Sequence, residues 1–141
     1  MNLVWFTVDG KAVQEGNIAF GKGHSYHREG SRLDQWRRDI GWTCKEAMKG
    51  TPMWGEPLEL SLYFTYRPRK KVDSEAWKVT GPDLDKLTRA VLDALTGVLY
   101  NDDRQVVKIE AFKQYGQWAS KSEGGPEEAS LGVTATKLEM R

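Results

Sequence analysis

Leu58, Leu60, Leu62, Phe64 and Tyr66 alternate with Glu59, Ser61, Tyr63 and Thr65, the two-residue period of a strand with one buried face. Residues 3–8 are rich in β-formers and predict an opening strand, closed by the turn signal Asp9-Gly10. A longer period takes over at Leu33. Leu33, Trp36, Ile40, Cys44 and Ala47/Met48 recur every three or four positions and mark one face of a helix of about four turns, ended by Gly50-Thr51-Pro52. A second helix is predicted over about 85–96, with Leu87, Ala90/Val91 and Ala94/Leu95 inward and Gly97 as its C-terminal cap. Two more strands are expected at 105–113 and 131–138. The intervening stretches lack a period. Residues 14–31 read as a loop or irregular hairpin, 67–82 as a long polar loop between Pro68 and Pro82, and 115–130, with Gly124-Gly125-Pro126, as a mobile loop.

Strands and helices interleave, so the expected class is α/β (α+β): a small mixed β-sheet packed with two main helices, in a single domain over 1–141. A hydrophobic fraction of 39% and a charged fraction of 29% exclude a disordered chain. No apolar run approaches the roughly 18 residues of a membrane span. The start, MNLVWFTVDG, lacks the basic and apolar regions of a secretion signal. The sole cysteine, Cys44, excludes an intramolecular disulfide and a multi-cysteine zinc site, and points to a reducing, cytoplasmic setting. The formal net charge of +1 hides a local pattern. Residues 1–80 carry 13 basic and 10 acidic groups, whereas 81–104 carry 3 basic and 5 acidic groups. An acidic knot in a mildly basic frame indicates a metal site beside a polyanion surface, not a purely electrostatic DNA binder.

The knot contains Asp83, Asp85 and Asp103. Two residues apart inside a helix, Asp83 and Asp85 would point about 200° apart; in extended chain they share one side. They converge only if the helix begins near Asp85, and Pro82 keeps the residue before it extended. Arg89 then lies one turn on, on the face of Asp85. Asp103 must return from the far end of a helix about 18 Å long, over a connection that spans at most about 23–25 Å. That return is barely slack; if it fails, Asp103 serves a neighbouring subunit's site. Three converging carboxylates repel one another and call for a cation, and oxygen ligands without His or Cys favour Mg²⁺ or Mn²⁺ over zinc. The competing reading is structural: Asp at a helix start caps amides and complements the dipole, and Asn101-Asp102-Asp103 is common turn chemistry. Spacing alone leaves both open.

The run PDLDKLTRAVLDALTGVLYNDDRQV, residues 82–106, closely resembles the signature of RusA-like Holliday junction resolvases, including phage-encoded ones. Their pattern of Asp-x-Asp, then Asp-Ala-Leu, then Asp-Asp-x-Gln-Val is met by Asp83-Leu84-Asp85, Asp93-Ala94-Leu95 and Asp102-Asp103-Arg104-Gln105-Val106. The resemblance implies a homodimeric, Mg²⁺-dependent endonuclease that cuts four-way DNA junctions, leaving 5′-phosphates and ligatable nicks, with no nucleotide cofactor and no membrane. It maps the metal acids onto Asp83, Asp85 and Asp103, with Asp102 filling the less essential first position of its pair. Lys86 stands where the family commonly has Asn, and Arg89 where it commonly has a functional Lys. Both preserve or add positive charge, but Arg89 cannot act by losing a proton.

Arg67, Arg69, Lys70 and Lys71 place four basic groups in five positions just upstream of the acids, followed by Trp77 and Lys78. With Lys86 they are the expected DNA contacts, Trp77 supplying a stacking surface. The bland reading is a solvated surface loop; with so little apolar content to hold them down, residues 67–80 are expected to be highly mobile in the absence of DNA. His24 and His27 lack a third ligand in sequence and read as loop surface or phosphate contacts. Two rival functions follow the same features: a non-catalytic dimer that binds branched DNA, and a metal-dependent nuclease that prefers flaps or other branches.

Overall fold

The computed structural model describes residues 1–14, 18–21, 24–27, 30–70, 73, 76–116 and 129–139, with backbone alone for 18–21, 24–27, 30 and 31. The alternation at its centre forms β4, Leu58–Tyr66, whose Leu58, Leu60, Leu62, Phe64 and Tyr66 are all buried. Around it the chain runs β1 (Leu3–Asp9), β2 (Ile18–Gly21), β3 (His24–His27), α1 (Gly30–Met48), β4, α2 (Leu84–Leu95), β5 (Val106–Tyr115) and β6 (Ala129–Lys137).

β1, β6, β4 and β5 form one sheet in that order, while β2 and β3 pair separately as an antiparallel hairpin. β6 lies antiparallel to both neighbours, Val133 standing opposite Phe6 on one side and Leu62 on the other. β4 and β5 are parallel, Leu62 opposite Ala111. A parallel pair cannot be closed by a tight turn, and α2 is the crossover that joins it. The result is an α+β fold: a mixed four-stranded sheet with two helices.

Both helices contribute to a single core with one face of the sheet. Leu33, Trp36, Ile40, Cys44 and Met48 of α1 and Leu87, Ala90, Val91, Ala94 and Leu95 of α2 join the buried phases of β1, β4 and β6. Burying Leu87, Val91 and Leu95 stabilises the fold by about 1.5–3 kcal/mol each, which fixes the rotation of α2 on the sheet. The helices approach closely at Gly41, where an added Cβ would stand 3.4 Å from the Ala94 carbonyl oxygen. α2 ends as expected at a left-handed glycine, Gly97 with φ +83°, whose N–H donates to the Tyr100 carbonyl. The opposite sheet face carries exposed Leu3, Trp5 and Tyr63.

The expected elements are present with shifted ends. α1 begins at Gly30, because Gly30-Ser31-Arg32 adds a polar turn that leaves no apolar signature. β5 starts one residue later than expected, after a 3₁₀ turn at Asp103–Gln105, and extends to Tyr115. The hairpin alternative for 14–31 is realised in β2 and β3. The stretch expected as a mobile loop at 115–130 falls mainly outside the described residues. Trp36 and Trp42 face opposite ways, the first buried and the second exposed.

Candidate active site

Asp83 is the residue before α2, in extended conformation with φ −75° and ψ 130°. Its backbone N–H donates to Gln14 Oε1 at 2.8 Å, and its carbonyl accepts the first helical bond from Leu87. Its carboxylate makes no capping hydrogen bond. It faces Lys86 Nζ at 3.5 Å instead. Asp85 is exposed in the first turn of α2, where the free amides and helix dipole favour negative charge. The helix thus starts where convergence of Asp83 and Asp85 requires. Arg89 is exposed one turn on, and the ion pair of this end runs from Lys86 to Asp83, not from Arg89 to Asp85.

Asp102, by contrast, is a capping residue. Its carboxylate accepts from Arg104 N–H and the Arg104 guanidinium, both at 2.9 Å, and these bonds hold it below the usual carboxylate range. Gln105 completes the capping box. Its Oε1 accepts from the amides of Asn101 and Asp102, and its Nε2 donates to the carbonyls of Trp54 (2.8 Å) and Glu56 (3.1 Å). Both donors and both acceptor lone pairs of the amide are used. Asp103 stands exposed on this clamped turn. Gln105 carried no assigned role in the sequence reading; its place in the Asp-Asp-x-Gln-Val run was the only signal.

Lys113 is a second residue that sequence reasoning missed. Its Nζ donates to the carbonyls of Thr80 and Pro82, tying the start of α2 to the far end of β5. The signal was a lysine in the apolar phase Ile109, Ala111, Lys113, Tyr115. This tether also fixes the separation of the acids. β5 begins beside Asp103 and needs seven residues, about 23 Å, to reach Lys113. Asp83 and Asp85 are therefore at one end of the protomer and Asp103 at the other, about 20 Å away by the same strand rise. Among the described residues, no group of three or more His, Cys, Asp or Glu side chains is arranged to hold a metal ion. One protomer supplies hard oxygen donors suited to Mg²⁺ or Mn²⁺, but not all three in one place.

The basic loop adjoins the α2 end. Arg67 is half-buried and Lys70 exposed; Lys71 lies outside the described residues. Arg69 reaches Asp73 at 3.7 Å and stands over the Tyr115 ring at 5.9 Å. Lys78 lies over Tyr66 and Tyr115, at 5.2 and 5.4 Å from the ring centres. The described part of the loop is more firmly held than its composition suggested. Lys78 N–H donates to the Lys113 carbonyl, and Tyr115 N–H to that of Ala76. Trp77 stacks on Phe112, which stacks on Tyr63. The side chain of Trp77 is still 64% exposed, so this ladder presents an open aromatic face beside the basic groups.

Comparison with known proteins is decisive for the family. Residues 9–120 match the family described as endodeoxyribonuclease RusA. The chain belongs to the RusA family. It is 41% identical over 58 residues to the crossover junction endodeoxyribonuclease rusA of Lactococcus phage r1t, a match covering 40% of this chain and 44% of the phage protein. It is 28% identical over 133 residues to the uncharacterized protein YqaN of Bacillus subtilis (strain 168), covering 83% of this chain and 91% of that protein. The stretch shared with the phage relative is thus less than half of that protein's length. Among the described residues, no helix is long and apolar enough to cross a membrane.

Proposed function

We propose that the protein is a homodimeric, divalent-metal-dependent endonuclease that resolves four-way DNA junctions in the cytoplasm of a bacterial host, acting as one domain over 1–141. Each site combines Asp83 and Asp85 of one protomer with the partner subunit's Asp103. The observation that carries this is the opposed placement of the acids on a RusA-family chain. Carboxylates that repel one another and are spread over the two ends of the protomer make a cation site only when two copies meet. A hard divalent ion held there would neutralise charge on the scissile phosphate and acidify a bound water for phosphodiester hydrolysis.

The chain's own residues do the rest. Asp83 is positioned by Gln14 and Lys86 and Asp103 by the Gln105 clamp, so the ligands are set before DNA arrives. Arg89, one turn from Asp85, is a permanent cation aimed at charge that grows on the phosphate. Arg67, Arg69, Lys70, Lys71 and Lys86 neutralise the junction arms, and Trp77 stacks on bases exposed at the branch. Two identical sites suit a substrate with symmetric strands, since paired cuts that leave 5′-phosphate nicks need two centres.

The test is cleavage of synthetic four-way junction, flap and linear duplex, with and without Mg²⁺ or Mn²⁺, by wild type, Asp85→Asn and Asp103→Asn. Metal-dependent paired cuts in the junction are expected from wild type, and loss of cleavage with retained binding from each variant. Co-expressing the two variants yields about half heterodimers, each with one intact site in the two-copy arrangement. They should nick junctions once. Absence of nicking by the mixture would sink the shared site, and preference for flaps would sink junction resolution.

A further inference from the structure

The two acids at the start of α2 follow a segment with little side-chain packing among the described residues. Val79 is 91% exposed, Thr80 and Gly81 are exposed, and a Cβ added to Gly81 would meet nothing within 4 Å. A stretch with so few apolar contacts opens easily unless its backbone is bonded. Here the bonds converge on one residue. The Lys113 carbonyl accepts from the Lys78 N–H at 3.0 Å, and Lys113 Nζ donates to the carbonyls of Thr80 and Pro82, the latter at 2.7 Å. A single lysine thus grips the chain at residues 78, 80 and 82. In the sheet register Lys113 stands beside fully buried Phe64, on the core side of β5, and is itself half-buried. An ammonium withdrawn from water needs acceptors, and the two carbonyls supply them.

The consequence falls on Asp83. The peptide unit between Pro82 and Asp83 is bonded at both ends: its carbonyl accepts from Lys113 Nζ, and its N–H donates to Gln14 Oε1 at 2.8 Å. The next unit is held too, since the Asp83 carbonyl accepts from the Leu87 N–H. A residue has only two soft backbone dihedrals, and with both flanking peptide planes tied those of Asp83 are set. A carboxylate in this position ordinarily turns back to accept from the amides of the first helical turn, and that of Asp83 does not.

We infer that Lys113 is a positioning residue for the metal acids: its bonds to Thr80 and Pro82 fix the backbone at Asp83, so that the carboxylates of Asp83 and Asp85 stay presented to a divalent cation. An ammonium has no lone pair to offer a cation, so Lys113 acts through the backbone and not as a ligand. The role rests on the metal site proposed above. It adds to Gln14 and Lys86 a support drawn from the far end of β5.

Mn²⁺ binding to the full-length protein, measured by calorimetry without DNA, tests the role apart from cleavage. Lys113→Met keeps the apolar stem and loses both donated bonds. It should weaken Mn²⁺ binding about 10–100-fold, the range expected when a group that orients a metal ligand is removed. Lys113→Arg, which still donates to carbonyls, should restore most of the affinity. In junction cleavage by Lys113→Met the Mn²⁺ midpoint should rise by the same factor, with the rate at saturating Mn²⁺ close to that of wild type. Hydrogen exchange at the Asp83 amide should quicken about tenfold or more in Lys113→Met without metal. Val133→Ala, a truncation in the middle of β6, controls for lost stability and should leave Mn²⁺ affinity as it is. Wild-type Mn²⁺ affinity or unchanged Asp83 exchange in Lys113→Met would overturn the role, as would an equal loss of affinity in Val133→Ala. Wild type that binds no Mn²⁺ would refute the metal reading and this role with it, an outcome distinct from the loss of the Lys113 effect alone.

Discussion

Gln105 is the best-connected side chain of the acidic region, and its removal has a magnitude that follows from the structure. Gln105→Ala deletes two bonds donated to the carbonyls of Trp54 and Glu56 and two accepted from the amides of Asn101 and Asp102. At about 0.5–1.5 kcal/mol each, and with water replacing part of the exposed side, the loss should be about 2–4 kcal/mol. For a chain of this size that lowers the midpoint of thermal unfolding by about 6–15 °C. Gln105→Glu sharpens the test. It keeps the acceptor for the two amides but turns an anionic oxygen toward two carbonyls, so it should cost at least as much as Ala at pH 7. Part of that cost should be recovered as the carboxyl is protonated in acid. Urea titrations of the three proteins, with unchanged m-values, measure both effects. If both variants stay within about 0.5 kcal/mol of wild type, the clamp does not hold the Asp103 turn and the reasoning fails.

Replacing Arg69, Lys70 and Lys71 together by Ala should weaken junction binding and reduce its salt slope by up to about three, read from titrations at several salt concentrations; an unchanged slope would move the DNA surface elsewhere. Arg89→Ala should slow single-turnover cleavage about 10²-fold or more, with Arg89→Lys largely active because charge alone is needed; equal rates for all three would remove Arg89 from the site. Burial pushes the Cys44 thiol and the Tyr66 phenol each up to about 12. The unfolded chain therefore loses these protons first. Stability should be intact below about pH 9, then fall as pH rises toward 12, with Cys44 unreactive to thiol reagents until that loss; prompt labelling at pH 8 would contradict its burial.

β1, β4, β6 and both helices were legible because each has one buried phase. β4 reads at period two and α2 at three to four, and in both every predicted inward residue is buried. The ends were less legible, since polar turns such as Gly30-Ser31-Arg32 extend a helix without adding to its apolar face. The firmness of residues 76–78, in the described part of the basic loop, was illegible from composition because it comes from elsewhere in the chain. β5 offers it two backbone bonds and the Phe112 ring, partners more than 30 residues away. Lys113 was obscured for the same reason. A lysine in an apolar phase announces a buried partner without saying that the partner is a pair of loop carbonyls.

Asp83 and Asp102 show why the acids needed structure to be sorted. Each precedes a helical turn, each adjoins a second candidate acid, and sequence offers capping as the common explanation. At Asp102 that explanation suffices: the carboxylate spends both oxygens on Arg104 and the amide of its own turn. At Asp83 it fails. A capping bond there would contribute about 1 kcal/mol, yet the carboxylate leaves the amides of α2 unbound and points to Lys86. An acid that forgoes its local hydrogen bond beside Asp85 concentrates negative charge at the one end of the protomer where basic loop, Arg89 and exposed Trp77 are gathered. Such an arrangement lowers folding stability slightly, and it is the arrangement that the proposed metal and DNA site calls for.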